Sequence, residues 1–346
     1  MRLPDWDELR QQARALGFDD LGVCSAAPFG DAQGQPYVSA RVQTNPVDFL
    51  PGARSLVVLV RRYGRFGPWP KGTAQVAHYY ANSNSGYAQA AELARWLGER
   101  GVRVAAHPNL PHKAAAVRAG LGCQGQNTQF IHHSLGVLVC LQLLVTDLPP
   151  EEDDHPRVPC GGCGLCVAAC PTNALEGGRL HWDRCLRAQM GSPDPVPRHL
   201  RQAMGMRLLG CTECQHACPH CHAEEEPVPE TLAEACDLEG LLRGDTGQRE
   251  RLAVVIGTNV ARRGRLMAQA ALCAGNSGDR RYVPLLTPLL GEQALAVRVH
   301  AAWALGRLGG PGAAEALRTA LEMAREPMWR EEIEAALAAL PGPRDC

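Results

Sequence analysis

Apolar positions in the first 150 residues follow two alternating periods. Trp6, Leu9, Ala13 and Leu16 share one face of a helix, and Gly17 is placed to stop it. Asp20 to Cys24 then reads as a first strand. Ser55 to Val60 is an unbroken apolar run of buried-strand length, followed by Arg61, Arg62 and a Gly/Pro-rich loop through Gly72. Ala88 to Arg100 is helical, with Ala91, Leu93, Ala94 and Leu97 as its apolar face, and Val102 to Val104 is a strand after it. Leu135 to Val145 is apolar and β-branched, and is expected to be one bent strand or a hairpin. Strands alternating with helices predict an α/β domain, a sheet covered by helices.

From about Leu241 the pattern becomes helical throughout. A 31-residue period is visible: Ala270-Ala271 recurs as Ala301-Ala302, Gly275 as Gly306, Leu286 as Leu317 and Leu290 as Leu321. Helix pairs at this spacing resemble HEAT repeats, which stack one unit on the next and offer a concave face. Two units are few, and a plain helical bundle gives the same pattern.

Between these regions the periodicity fades. The segment Cys160 to Cys221 follows an acidic, proline-flanked linker, Pro149-Pro150-Glu151-Glu152-Asp153-Asp154. It has too few regularly spaced apolar residues for a core of its own, so ligands are expected to hold it together. The chain divides by pattern into 1–150, 151–235 and 236–346.

Composition sharpens this picture in two places. Hydrophobic residues make up 45% of the 346, charged residues 21%, and the net charge is -1, which suits folded domains rather than disorder or a highly charged tail. No run of 18 apolar residues occurs and the first residues lack a signal peptide's apolar core, so no membrane association and a cytoplasmic location are expected. The second place is cysteine. Of 15 in the chain, nine lie between Cys160 and Cys221. Clustered thiols in a reducing compartment point to metal ligation rather than to disulfides.

Their spacing is specific. Cys160-x2-Cys163-x2-Cys166-x3-Cys170-Pro171 is the run of bacterial ferredoxins. Three thiolates on a tight Gly-rich loop wrap one cubane, and the fourth, at the proline turn, points to another. A second half follows: Cys185, then Cys211-x2-Cys214-x3-Cys218-Pro219. Zinc is the competing reading, since Cys-x2-Cys pairs also build structural zinc sites, but zinc has no use for the Cys-Pro phrasing. Two 4Fe–4S clusters are expected. The interleaving usual for such runs puts Cys160, Cys163, Cys166 and Cys218 on one cluster, and Cys170, Cys185, Cys211 and Cys214 on the other. Cys221 is left over, either a free thiol near the cluster or a ligand. Cys24, Cys123, Cys140, Cys236 and Cys273 read as core residues, and Cys346 as incidental.

The order of parts resembles the epoxyqueuosine reductase family, cobalamin-dependent iron–sulfur enzymes that complete queuosine in tRNA. The resemblance spans nearly the whole chain. It is carried by the Cys160–Pro219 spacing with its isolated Cys185, and by Ala119-Gly120-Leu121-Gly122-x2-Gly125-x-Asn127-Thr128, similar to the family's Ala-Gly-Leu-Gly-Trp-Ile-Gly-Lys-Asn-Thr. Leu144-Val145-Thr146-Asp147-Leu148, Arg262-Arg263-Gly264-Arg265 and Ala274-Gly275-Asn276 add to it. The implied fold class is a multidomain α+β chain: an α/β corrinoid-binding-type domain of the kind found in reductive dehalogenases, a ferredoxin-like double-cluster segment, and HEAT-like helices. The resemblance further implies a base-off cobalamin, a tRNA substrate, a cytosolic electron donor such as flavodoxin or ferredoxin, and a monomer. Gly120, Gly122 and Gly125 would let backbone approach a large flat ligand, with Asn127 and Thr128 as polar groups. A helix C-cap plus a turn explains the same glycines without a cofactor.

The sequence also departs from the family. The family's proton-donor aspartate, in its Asp-Thr/Ser-Ala-Pro segment, falls on Ala106 by ungapped counting. Neighbouring His107 and His112 could act as general acid instead, or be exposed loop residues. Cys123-Gln124 and Gln126 replace the family's Trp-Ile and Lys, and its Asp-Tyr-His element survives only as Ser85-Gly86-Tyr87. Residues 241–346 hold 14 arginines against 11 acidic residues, and Arg262, Arg263 and Arg265 form a local cluster suited to phosphates or simply a solvated helix face. Two functions remain open at this point: the epoxyqueuosine reductase, and a divergent electron-transfer or corrinoid-reducing protein with another substrate or partner.

Overall fold

Asp5 opens the first helix with a capping box, its carboxylate accepting from the Glu8 amide while the Glu8 side chain accepts from the Asp5 amide. Gly17, at φ +88°, turns the chain out of it. The computed structural model describes residues 3–30, 42–151 and 159–340. Cys346 and residues 152–154 of the acidic linker lie outside them. Two compact units form: Met1–Arg65, His78–Trp182 and Thr212–Glu225 make the first, and Phe66–Ala77, Asp183–Cys211 and Glu226–Cys346 the second. The cysteine-rich segment, set apart by its composition, is divided between them.

The first unit contains α1 (Trp6–Ala15), β1 (Asp20–Ser25), β2 (Ser55–Arg62), α2 (Tyr79–Gly98), β3 (Val104–Ala106), α3 (His112–Arg118), β4 (Gly122–Gln124), β5 (Phe130–His132), β6 (Val139–Thr146) and α4 (Leu165–Ala168). Strands β1, β2, β6 and β3 form, in that order, a sheet in which every pair is antiparallel. Six consecutive residues of β2, Ser55 to Val60, are buried because both faces are covered. Leu56, Val58 and Val60 face a core completed by Ala115, Ala116 and Ala119 around α3. Val57 and Leu59 face the opposite core, filled by Leu9 and Ala13 of α1 and Ala90, Leu93 and Leu97 of α2.

Three elements differ from the sequence reading: β3 runs Val104–Ala106 rather than Val102–Val104, and α2 and the segment before β6 differ as follows. Helix α2 begins at Tyr79 rather than Ala88, so Asn82, Asn84, Ser85 and Gly86, poor helix formers, are helical. Tertiary packing overrides their propensity: Tyr80 and Ala90 are buried. Leu135 to Val145 is a turn followed by a single strand, β6, not a bent strand or hairpin, because the chain reverses at Gly136 (φ +81°) before β6 begins.

In the second unit the main helices are α5 (Leu238–Arg243), α6 (Thr246–Ile256), α7 (Arg263–Ser277), α8 (Leu295–Leu308), α9 (Pro311–Met323) and α10 (Pro327–Ala338). The 31-residue period has a packing cause. A Cβ on Gly275 of α7 would lie 2.8–2.9 Å from Trp303 and Ala304 of α8, and one on Gly306 of α8 would lie 2.6 Å from the Ala336 carbonyl of α10. Each glycine lets one repeat's helix touch the next. Leu286 and Leu317, the repeated leucines, are both fully buried. Arg201, 2% exposed, is locked to Glu332 by bonds of 2.8 and 3.0 Å and donates to the Val196 carbonyl. Burial works to raise the Glu332 carboxyl, and the Arg201 guanidinium overrides it, holding the acid below the usual carboxylate range. Among the described residues no helix is long and apolar enough to cross a membrane.

Candidate iron–sulfur site

The loop before α4 turns through Gly162 and Gly164, both at positive φ, which brings Cys160, Cys163 and Cys166 round one space. The short helix Glu213–His216 leads to Cys218-Pro219 and supplies the fourth wall. The result is a cavity of about 210 Å³ lined by four thiols, Cys160, Cys163, Cys166 and Cys218, together with Gly125, Gln126, Asn127 and Ile131. These four are the quartet that interleaved spacing assigns to one cluster. Cys170 and Cys214 belong to the same unit but not to this wall. Cys185 and Cys211 belong to the second unit, where Cys185 precedes the helix Leu186–Gln189 and Cys211 packs beside Leu186, Met190 and Leu200.

The donor set fits a cubane. Four cysteines line one cavity, and Cys160 and Cys218 among them pack against an apolar patch of Tyr63, Ile131, Val137 and Leu138. Backbone amides point at the sulfurs: the N–H of Val167 at Cys166, and that of His220 at Cys218. The Cys170 sulfur likewise accepts from the Ala174 amide at 3.2 Å. Burial raises the Cys166 and Cys218 thiols above the ordinary range, and the neighbouring sulfurs add to it. Metal binding to such thiols displaces their protons. Cys163 is exposed, so one corner of the cavity reaches the surface.

Two further cysteines stand close by. Cys123 and Cys221 are half-buried against the same apolar patch as Cys160 and Cys218. The Cys123 sulfur accepts from the Cys160 amide, and its thiol is raised by burial first and by Cys160 second. Cys123 is therefore a neighbour of the thiol cavity rather than an ordinary core residue. Cys24, Cys236 and Cys273 are buried, each pushed up to about 12 by burial. Cys140 is pushed up to about 12 in the same way, and its sulfur donates to the Tyr79 carbonyl.

The glycine motif has structural work of its own. Gly120 sits at φ +72° just past α3, the C-cap geometry that the sequence left open. A Cβ on Gly122 would lie 2.0 Å from the Ile131 carbonyl, inside the β4–β5 hairpin, and one on Gly125 would lie 2.7 Å from Asn127. Gly125 and Asn127 face the thiol cavity. Asn127, 2% exposed, donates from Nδ2 to the Cys214 carbonyl at 3.0 Å and accepts from the Gln129 amide. Gly122 and Gly125 thus have no room for a side chain. Thr128 differs: at φ +59° its buried hydroxyl oxygen has no hydrogen-bond partner.

The two candidate acids are not exposed loop residues. His107, directly after β3, is half-buried at φ +55° and stacks on Tyr87 with ring centroids 3.3 Å apart. Neither of its ring nitrogens has a partner of good geometry, although Gln142 lies beside it. His112 opens α3, with Nδ1 2.8 Å from the Leu110 carbonyl. Burial first, then the neighbouring His112, holds His107 below the ordinary histidine range, and burial does the same to His112.

The arginine cluster is divided in use. Arg263 donates to both Glu292 carboxylate oxygens, at 3.0 and 2.7 Å, and Arg265 reaches the Gly191 carbonyl. Arg262 is exposed at the start of α7. Sequence reasoning missed Tyr63, Gln142 and Gln215, polar groups beside these sites that no motif marks.

Comparison with known proteins agrees with this geometry. Residues 159–221 match the family described as a 4Fe-4S double cluster binding domain, and residues 263–338 match HEAT repeats. The chain is 27% identical to an epoxyqueuosine reductase of Bacillus cereus, over 97% of this chain and 98% of that protein. An epoxyqueuosine reductase of Bacillus subtilis is 32% identical over 67% of this chain and 62% of its own length. A solved structure of epoxyqueuosine reductase from Bacillus subtilis, with its catalytic loop swung out of the active site, superposes with a TM-score of 0.82 at 26% identity, covering 97% of this chain and 98% of that one. An epoxyqueuosine reductase bound to a tRNA-Tyr stem loop carrying epoxyqueuosine gives 0.84 at 25% identity, covering 96% and 98%.

Proposed function

Because this chain belongs to the epoxyqueuosine reductase family, we propose that it reduces epoxyqueuosine to queuosine in tRNA with electrons passed through two 4Fe–4S clusters. The observation that carries this reading is the single cavity lined by Cys160, Cys163, Cys166 and Cys218 in a chain that matches such enzymes from end to end. We assign the first cluster to that quartet and, on spacing, the second to Cys170, Cys185, Cys211 and Cys214. The exposed Cys163 corner suits entry of electrons from a cytosolic donor such as flavodoxin or ferredoxin. The protein acts as a cytoplasmic monomer in this reading.

Family membership brings cobalamin with it. When bound, this cofactor supplies the reducing metal centre that opens the epoxide. The chain's own contribution is the unpartnered Thr128 hydroxyl, a buried polar group that a ligand would satisfy. Gly120, Gly122 and Gly125 remain our candidates for close backbone approach to the cofactor, and Gly125 also lines the thiol cavity. Release of the epoxide oxygen as water needs a pair of protons. His107 and His112 are our candidates for the source: rings held below the ordinary range are, once protonated, stronger acids than free histidine. Of the basic cluster, exposed Arg262 is the residue best placed to meet RNA phosphate, because the charge of Arg263 is paired with Glu292.

One observation favours a second reading, a relative that reduces another substrate or partner: Ala106 ends β3 at the counted position of the family's aspartate. The test is complementation of a strain lacking queuosine, with tRNA nucleosides read by mass spectrometry, beside anaerobic purification with added cobalamin. Restored queuosine supports the first reading. Bound cobalamin and iron without queuosine supports the second.

A further inference from the structure

The helix Glu213–His216 is only one turn long, yet it must set the direction of two thiols. Cys218 faces the four-thiol cavity and Cys214 does not. A single turn is not rigid enough to fix its own rotation, since it closes only the first few hydrogen bonds. Something outside must hold it.

That hold is the side chain between the two cysteines. Gln215 is 7% exposed, and its Nε2 donates to the Tyr63 hydroxyl at 2.9 Å and to the Val137 carbonyl at 3.2 Å. Both N–H bonds of the amide are thus spent on fixed points: Tyr63 follows the last residue of β2, and Val137 lies just before β6. Tyr63 is itself 5% exposed and stacked on His78 with ring centroids 6.0 Å apart. Its phenol is raised by burial first and by nearby thiols second, so the hydroxyl stays neutral and protonated. Two more bonds stitch the same segment down on either side: Asn127 Nδ2 donates to the Cys214 carbonyl at 3.0 Å, and the Val137 amide to the His220 carbonyl at 3.1 Å. Amides with two fixed acceptors resist rotation about the helix axis in a way that apolar contact does not.

We propose that Gln215, with Tyr63 as its receptor, is the positioning residue that sets the rotation of this ligand helix, sending Cys218 to one cluster and Cys214 to the other. The inference rests on the cluster assignment given above. It makes the α/β unit, rather than the cysteine loops alone, the gauge for cluster geometry.

Gln215→Met keeps length and bulk while removing both donors. After anaerobic reconstitution of the full chain, iron and sulfide content, the paramagnetic resonance spectrum of the reduced protein and the rate of cluster loss to a chelator are compared with wild type. The expected result is cluster loss about ten-fold faster and an altered spectrum, since each buried hydrogen bond is worth roughly a factor of two to ten. Tyr63→Phe, which deletes one oxygen and keeps the ring, is expected to shift both in the same direction by less, and serves if Gln215→Met does not fold. Wild-type loss rate and spectrum in either folded variant would overturn the proposal. A wild-type chain that takes up no iron would instead sink the cluster assignment, so the two failures are distinguishable.

Discussion

The cysteine loops and the helical repeats are both built from short pieces, and they are held in opposite ways. The repeats close by direct contact: Gly275 and Gly306 remove the one atom that would keep adjacent helices apart, and Leu286 and Leu317 fill the space behind them. The loops around Cys160, Cys163 and Cys166 have a four-residue helix, two left-handed glycines and few buried side chains of their own. Where packing supplies the cohesion, small residues carry the pattern. Where it does not, thiols and buried amides do.

The widest test of that contrast is removal of iron. Ligand binding to a segment without its own core carries its folding free energy, on the order of 10 kcal/mol for structural metal sites. Chelation under anaerobic conditions should therefore strip hydrogen-exchange protection from amides around Cys160 to Cys170 while leaving those of α7, α8 and α10 unchanged. Equal loss in both regions, read by mass spectrometry, would show that the repeats also lean on the clusters.

A smaller effect is expected from the repeat side. Gly306→Val places a branched side chain where even a Cβ lies 2.6 Å from the Ala336 carbonyl. Forcing α8 and α10 apart should cost about 3 kcal/mol, the upper end for overpacking, read by urea denaturation. Iron content should not change. A stable Gly306→Val chain would mean that the period in the sequence has no packing meaning.

The same contrast explains what the sequence could convey. Cysteine spacing follows a motif, so the four cysteines that line one cavity, Cys160, Cys163, Cys166 and Cys218, stand out without a structure, as do the first helix with its Gly17 stop, the buried β2 run and the repeat glycines. Asn127 stands out through its local motif, while its partner, the Cys214 carbonyl, is 87 residues away and carries no such signal. Gln215 and Tyr63 carry no motif, and they are 152 residues apart. The start of α2 was hidden by asparagine, serine and glycine, whose weak helix propensity burial overrode. Gly122 reports that space is tight without saying what fills it; the Ile131 carbonyl is one such neighbour.

The gentlest test changes only pH. His300, 1% exposed on α8, accepts from the Val196 amide at Nε2 and approaches the Ala268 carbonyl through Nδ1, both at 2.9 Å. This geometry requires the neutral ring with its proton on Nδ1. Burial first, then the Arg201 guanidinium, pushes its pKa down to about 3. An unfolded chain takes up this proton near pH 6.5, whereas the folded chain does not, so stability falls as pH drops below about 6.5. The slope for one such proton is about 1.4 kcal/mol per pH unit, or about 2 kcal/mol between pH 6.5 and 5. Glu332, lowered by Arg201, loses its own contribution only as pH falls below the carboxylate range, outside that window. His107 and His112 slope the same way but are common to wild type and variant. Urea denaturation of wild type and His300→Gln from pH 7 to 5 should differ in slope by about one proton. Identical slopes would mean that the ring is charged in the folded protein, and that the repeats near it are held by polar contacts more than by close packing.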